Sequence, residues 1–207
     1  MELNKIYCGD CLEVMKTMED KSVDLIITDP PYGLGIDGQK QTFNKNPKHN
    51  RKQYKFMGWD KKIPSKEYFD EMFRISKNQV IWGGNYFVQY LSGYKGWLVW
   101  DKGQHGLTMS DGELAFTSFD TPLRIFVRNR VDLQRDGAVH PTQKPLSLIK
   151  WILNNFAKKD DIICDPFLGS GTTARACKDY GFNFIGIEIS PEYCKIAEQR
   201  LAQEVLF

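Results

Sequence analysis

Ile162-Ile163-Cys164-Asp165-Pro166-Phe167-Leu168-Gly169-Ser170-Gly171-Thr172-Thr173 carries a short apolar run through a glycine-rich turn into a stretch of helical composition, residues 173–179. Strand, glycine-rich turn and helix, in that order, are the layout of a mononucleotide-binding crossover. The glycines allow a tight turn and close approach of a ligand. The helix N-terminus offers free N–H groups to an anion, here a carboxylate. A second apolar run, Phe184-Ile185-Gly186-Ile187, ends in Glu188, nineteen residues after Gly169. That matches the spacing of about 20 residues for a ribose-binding carboxylate. Ala174 stands where the dinucleotide pattern Gly-x-Gly-x-x-Gly has its third glycine. A nicotinamide dehydrogenase is therefore disfavoured. The bland alternative is an ordinary strand–helix turn with a solvated Glu188.

Asp29-Pro30-Pro31-Tyr32 follows another apolar run, residues 23–27, that reads as a buried parallel strand. The prolines fix φ near −65° and donate nothing to the sheet, so the chain leaves it in one stiff shape. A Pro-Pro turn explains the prolines but not the acid or the ring. In this shape the Asp29 carboxylate and the Pro30 carbonyl could converge on one group bearing two N–H donors. The exocyclic amino group of a nucleobase is such a group. Two acceptors can hold its nitrogen closer to tetrahedral and stabilise the charge that develops as it attacks. Tyr32 would stack on the base. A methyl group could then pass directly from a sulfonium to nitrogen, with no covalent protein nucleophile.

The remaining chain alternates strands and helices. Strands are expected over residues 3–8, 80–82 and 97–100, and helices over 11–18 and 85–91. Residues 114–119 and 123–127, separated by Asp120-Thr121-Pro122, read as a hairpin. Tyr68, Phe69, Met72 and Phe73 fall at core-facing helical spacing. Leu146, Ile149, Leu153 and Phe156 mark a buried helix face. Ser190-Pro191 caps a last helix. The fold class expected is α/β, a mainly parallel sheet with helices on both faces and a closing antiparallel hairpin. Residues 1–207 make one domain.

Residues 33–62 break the pattern with a long basic stretch. Lys45, Lys48, Arg51, Lys52 and Lys55 are interleaved with Phe43, Tyr54, Phe56 and Trp59. Basic residues among aromatics suit a phosphate backbone and displaced bases; the alternative is a solvated loop with a few anchoring rings. Arg124, Arg128, Arg130 and Arg135 are either phosphate contacts or charges guarding a sheet edge.

The net charge of +2 is too small to announce a nucleic-acid binder. No apolar run is long enough to span a bilayer and no signal peptide is visible, so the cytoplasm is expected. Five cysteines, an odd number, argue against a disulfide framework. Cys8 and Cys11 lack a second pair to complete a zinc set, so no metal is expected. His49, His105 and His140 are far apart and give no hydrolytic triad.

Together, Asp29-Pro30-Pro31-Tyr32 and the later Asp165-Pro166-Phe167-x-Gly169-Ser170-Gly171-Thr172-Thr173 resemble the DNA amino-methyltransferases. The catalytic motif precedes the cofactor motif, as in the circularly permuted β group of bacteria and phage. Gly9-Asp10 and His140-Pro141-Thr142-Gln143-Lys144-Pro145 are similar to further family segments, so the likeness spans nearly the whole chain. It implies a Rossmann-like fold, S-adenosylmethionine as cofactor and DNA as substrate, with the target base flipped out or single-stranded. It implies catalytic roles for Asp29, Pro30, Pro31 and Tyr32. It assigns Asp10 to the cofactor's adenine, Glu188 to its ribose and residues 169–172 (Gly169, Ser170, Gly171, Thr172) to its methionine part. Asp29, Thr142, Lys144, Asp165 and Phe167 complete the implied cofactor set, with Lys144 and Thr142 reaching a carboxylate or an adjoining phosphate. An Asp at the head of the tetrapeptide usually accompanies adenine N6; cytosine N4 is the nearest alternative. Only residues 120–139 are available for target recognition, fewer than in many members. A homodimer is compatible with the resemblance, and a restriction-endonuclease counterpart is not required. From another class, a non-catalytic nucleic-acid-binding protein with a vestigial cofactor pocket would fit, but the intact motifs disfavour it.

Overall fold

A computed structural model describes residues 1–35, 62–91, 93, 96–103, 105–106, 110–129 and 143–203. Its centre is an eight-stranded sheet. In chain order the strands are β1 Lys5–Cys8, β2 Val23–Thr28, β3 Ser76–Trp82, β4 Trp97–Asp101, β5 Gly112–Thr117, β6 Arg124–Val127, β7 Ile162–Asp165 and β8 Asn183–Glu188. The helices are α1 Cys11–Lys16, α2 Lys66–Ile75, α3 Leu146–Phe156, α4 Thr172–Tyr180 and α5 Pro191–Ala202. Across the sheet the order is β1-β8-β7-β2-β3-β5-β4-β6. The five strands from β1 to β3 are mutually parallel. Only β5 runs the other way, against both β3 and β4.

Alternation along the strands builds two cores. Leu25, Ile27, Val80 and Trp82 point to one face and pack with Leu148, Ile152 and Ala176 of α3 and α4. Ile26, Ile81 and Cys164 point to the other and pack with Met15, Phe69 and Met72 of α1 and α2. Strands buried on both sides read as near-continuous apolar runs, which is why β2 was legible. The mainly parallel sheet with helices on both faces is thus observed. No helix among the described residues is long and apolar enough to cross a membrane.

The chain leaves β2 over one face, through α2, and leaves β7 over the other, through α4. These two strands are neighbours, with Leu25 opposite Ile163. Their carboxyl ends therefore diverge around a crevice, the topological switch point at which open α/β sheets take ligands.

Two expectations are corrected. Residues 114–119 and 123–127 do not form a hairpin. Both edges of β5 are taken, by β3 and β4, so β6 crosses over and pairs in parallel with the far side of β4. The antiparallel hairpin is β4–β5, with Trp100 opposite Glu113. Residues 85–91 are not a helix; only a 3-10 turn forms, Gly84–Tyr86. Phe87 is fully buried whereas Tyr86 and Val88 are exposed, so no helical stripe exists. Glycine is needed just before, at Gly83: φ is +71°, and an added Cβ would lie 2.1 Å from the Tyr32 ring.

Phe69 is fully buried, with its ring centroid 5.0 Å from that of Phe87 and 5.1 Å from that of Tyr90. Phe69→Ala should destabilise the fold by about 3–5 kcal/mol in urea unfolding. Lys66→Ala, which breaks only an exposed pair with Asp70 on the same helix, should cost under about 1 kcal/mol. Equal losses would contradict this placement of the core.

Candidate active site

Thr28 ends β2 and Asp165 ends β7, and a buried hydrogen bond joins them: Thr28 Oγ1 donates to Asp165 Oδ1 at 2.7 Å. Thr173 Oγ1 donates to Oδ2 at 2.7 Å and the Phe167 N–H to Oδ1 at 3.1 Å. Burial pushes the Asp165 carboxyl up to about 6, against the hydrogen bonds it receives. Asp165 thus pins the glycine-rich turn to the neighbouring strand.

A cavity of about 580 Å³ opens above this junction, within the usual range for small-molecule sites. Its wall includes Asp29, Lys144, Phe167, Gly169, Thr172 and Glu188. Glu188 Oε2 accepts the Gly169 N–H and Oε1 the Ser190 N–H, each at 2.8 Å. A carboxylate offers about four acceptor positions, so with the Ile189 N–H also bonded Glu188 retains capacity for a ligand hydroxyl. Gly169 has φ +55° and open space where a Cβ would stand. Gly171 is different: it is absent from the wall, its φ is +82°, and an added Cβ would lie 2.8 Å from Ala197 Cβ. Its glycine serves the packing of α4 on α5. Ser170 Oγ donates to Gln143 Oε1 at 3.1 Å, which fastens the turn to the segment before α3.

A second cavity, about 330 Å³, adjoins the first and shares Pro31, Phe167, Glu188 and Ile189 with it. Asp10 lies in its wall. The Asp10 carboxylate caps α1, accepting the Leu12 N–H at 2.9 Å, and also accepts from the Tyr68 hydroxyl at 3.2 Å. Ile189 is 64 % exposed between the two cavities, an apolar surface open to a ligand.

Asp29 stands at the rim, where both of its oxygens already accept. The Tyr32 hydroxyl donates to Oδ1 and the Lys144 ammonium to Oδ2. Lys144 is itself buried, and its Nζ lies 2.9 Å from Glu113 Oε2. Lys102 Nζ lies 2.8 Å from Glu113 Oε1. The order is Tyr32, Asp29, Lys144, Glu113, Lys102, with two positive charges against two negative. Burial raises the Asp29 carboxyl above its ordinary value; Lys144 opposes this and Glu113 adds to it. Burial also works against the charged form of Glu113, but two ammonium groups outweigh it and hold that carboxyl at about 2. Lys144 stays protonated, because two carboxylates overcome its desolvation. Burial and the Asp29 charge push the Tyr32 phenol well up, so it remains a donor. The Tyr32 ring is stacked on Tyr86, with centroids 4.8 Å apart and planes 18° from parallel.

The residues expected from the sequence thus converge in part. Asp29, Pro31, Lys144, Asp165, Phe167, Gly169, Ser170, Thr172 and Glu188 line the first cavity, and Asp10 the second. Lys144 donates to Asp29 and forms an ion pair with Glu113. Arg124 is exposed on edge strand β6, while Arg128 Nη1 donates to Ser147 Oγ at 2.6 Å and ties β6 to α3. Lys45, Lys48, Arg51, Lys52, Lys55, Arg130, Arg135 and Thr142 lie outside the described residues. Sequence reasoning missed Glu113, Lys102, Tyr68 and Tyr86. Pairing residues 97–101 with 112–117 would have revealed Glu113, since it places that acid opposite Trp100.

Comparison with known proteins agrees with this geometry. A DNA methylase family model matches residues 99–199. The chain is 28 % identical to the Type II methyltransferase M.HpaI of Haemophilus parainfluenzae, over 97 % of this chain and 74 % of that protein. It is 26 % identical to the putative methylase YubD of Escherichia coli (strain K12), over 97 % and 91 %. The crystal structure of the M1.HpyAVI–SAM complex shares the fold at TM-score 0.63 and 23 % identity, covering 96 % of this chain and 99 % of that one. The cytosine-N4-specific PvuII DNA methyltransferase does so at 0.64 and 15 %, covering 100 % and 89 %. With Asp29-Pro30-Pro31-Tyr32 at one lip of the switch-point crevice and the glycine-rich turn at the other, the chain is similar to the DNA methylases over residues 99–199 and to Type II methyltransferases over nearly its whole length.

Proposed function

We propose that the protein is a site-specific DNA methyltransferase that methylates adenine at N6, with S-adenosylmethionine as methyl donor. The observation that carries this reading is the Asp29 carboxylate at the rim of the 580 Å³ cavity, held by Tyr32 and Lys144. When bound, S-adenosylmethionine supplies an electrophilic methyl group on sulfur. Glu188 would accept the ribose hydroxyls, and Asp10 and Ile189 would hold the adenine. The first turn of α4 and the Gly169 turn would hold the carboxylate end. Phe167 stands between the two cavities and separates their contents.

Asp29 and the Pro30 carbonyl then accept the two N–H groups of the target amine. That would orient the nitrogen lone pair toward the methyl carbon and stabilise the positive charge as the N–C bond forms and the sulfonium S–C bond breaks to leave a thioether, after which the amine's surplus proton is lost to water. A base inside a duplex cannot reach Asp29, so it must flip out at a cost of a few kcal/mol or be single-stranded. The side chains outside the described residues, from Lys45 to Lys55 together with Arg130 and Arg135, are proposed to hold the phosphates, and residues 120–139 to contribute to site choice. An Asp at position 29 favours adenine over cytosine. The similarity to Type II methyltransferases favours a cytoplasmic role in restriction-modification.

Asp29→Ala should keep cofactor affinity and lower turnover by about 100-fold or more, as removal of a charge-stabilising group does. Lys144 keeps Glu113 as partner in this variant, so the fold should persist. Turnover near wild type would remove Asp29 from the chemistry. Gly169→Asn tests the other lip: Asn tolerates the left-handed backbone and fills the open space beside Glu188. Cofactor affinity by calorimetry should fall about tenfold, or about 1.4 kcal/mol, with the unfolding midpoint little changed. Unchanged affinity would take the Gly169 turn out of the cofactor site.

A further inference from the structure

Glu113 lies outside both Asp29-Pro30-Pro31-Tyr32 and the glycine-rich turn, yet it pairs with two lysines in the charge network beside Asp29. It is the second residue of β5, the strand that runs against its neighbours β3 and β4. Because β5 runs against β3, its first residues lie at the end of the sheet where the parallel strands finish. A parallel β5 would have placed Glu113 at the opposite end. From there Glu113 Oε2 meets Lys144 at 2.9 Å and Oε1 meets Lys102 at 2.8 Å. Lys144 in turn donates to Asp29 Oδ2.

One ammonium is therefore shared by two carboxylates. Bonded to Asp29 alone, Lys144 would neutralise it and compete with a target amino group for the same oxygen. Drawn toward Glu113 as well, it anchors Asp29 without consuming its acceptor strength. Lys102 compensates Glu113 from the far side, so the network closes without an uncompensated buried charge. We propose that Glu113 is a positioning residue for methyl transfer: by sharing Lys144 with Asp29 it keeps Asp29 an open acceptor for the target's amino group. The inference rests on the reading of Asp29 given above.

The groups that face Asp29 are Lys144, Tyr32 and Glu113, with Asp165 acting at longer range. Removing the Glu113 charge leaves Lys144 wholly to Asp29, so the Asp29 carboxyl should titrate at lower pH. Glu113→Gln is the direct variant. It strands Lys102, so Glu113→Gln with Lys102→Met is the companion that retains charge balance if the single variant folds poorly. Asp29 is followed by carboxyl-13C aspartate NMR, with Asp29→Asn to assign its signal, and turnover is measured across pH. In both folded variants the Asp29 titration and the acid limb of turnover should move down by about one unit, a tenfold change in proton affinity. Turnover at the plateau should fall about tenfold while cofactor Kd changes less than about twofold, the pattern of a contact used only in the transition state. An Asp29 titration at the same pH in wild type and variants would overturn this inference alone. A wild-type protein that transfers no methyl group to adenine or cytosine in any DNA would overturn the proposed function, and this inference with it.

Discussion

The hydrogen bond from Thr28 to Asp165 is the constraint on which the rest of the site depends. It joins the last residue of β2 to the last residue of β7 across the line where the chain departs to opposite faces of the sheet. Asp165 also holds the start of α4 through Thr173 and the turn through Phe167. One buried carboxyl therefore fixes the distance between the two lips of the crevice. Asp29 and the glycine-rich turn, more than 130 residues apart in sequence, are set against each other by this junction. Burial disfavours the charged form of Asp165, and three donors offset that penalty. Desolvation is thus concentrated at the junction that sets the crevice.

The second constraint is charge. Burying ions is costly unless each is paired and hydrogen-bonded, and such networks rarely add stability. Here four charged side chains lie within one chain of contacts that begins at Asp29. Their net charge is zero, which lets them remain in a mostly apolar surround that includes the Trp82 ring, 5.6 Å from Lys144 Nζ. The antiparallel strand supplies Glu113, the one acid of the network that two lysines share. Its reversal is thus more than a topological detail, because it carries an acid to the end of the sheet where the parallel strands finish and Asp29 lies.

The parallel half of the fold was legible in the sequence because its strands are buried on both faces and its turns carry strong local signals. Residues 162–188 fold as read: strand, turn at a left-handed Gly169, helix and a strand ending in Glu188. The antiparallel half was not. Residues 114–119 and 123–127 carry a plausible turn between them, but which edge a strand takes is decided by its neighbours, not by its own residues. The segment after Gly83 has aromatic spacing that resembles a helix, yet Gly83 turns left-handed to admit the Tyr32 ring and the helix never starts. The same limit hid part of the site. Asp29, Asp165 and Glu188 sit in motifs with fixed spacing. Glu113 and Lys102 reach the site only through strand pairing, which local patterns do not specify. Gly171 was legible as part of a cofactor turn, but its close neighbour is Ala197 of α5, a tertiary contact.

The central claim is that this crevice carries methyl groups to the amino nitrogen of adenine in DNA. The most direct measurement is methyl transfer from labelled S-adenosylmethionine to mixed-sequence duplex and single-stranded DNA, followed by digestion and nucleoside analysis. The account predicts label in N6-methyladenosine's deoxy form. Label in N4-methyldeoxycytidine would contradict the base assignment while keeping the chemistry of Asp29. No labelled nucleoside from a folded protein that binds the cofactor would contradict the account itself.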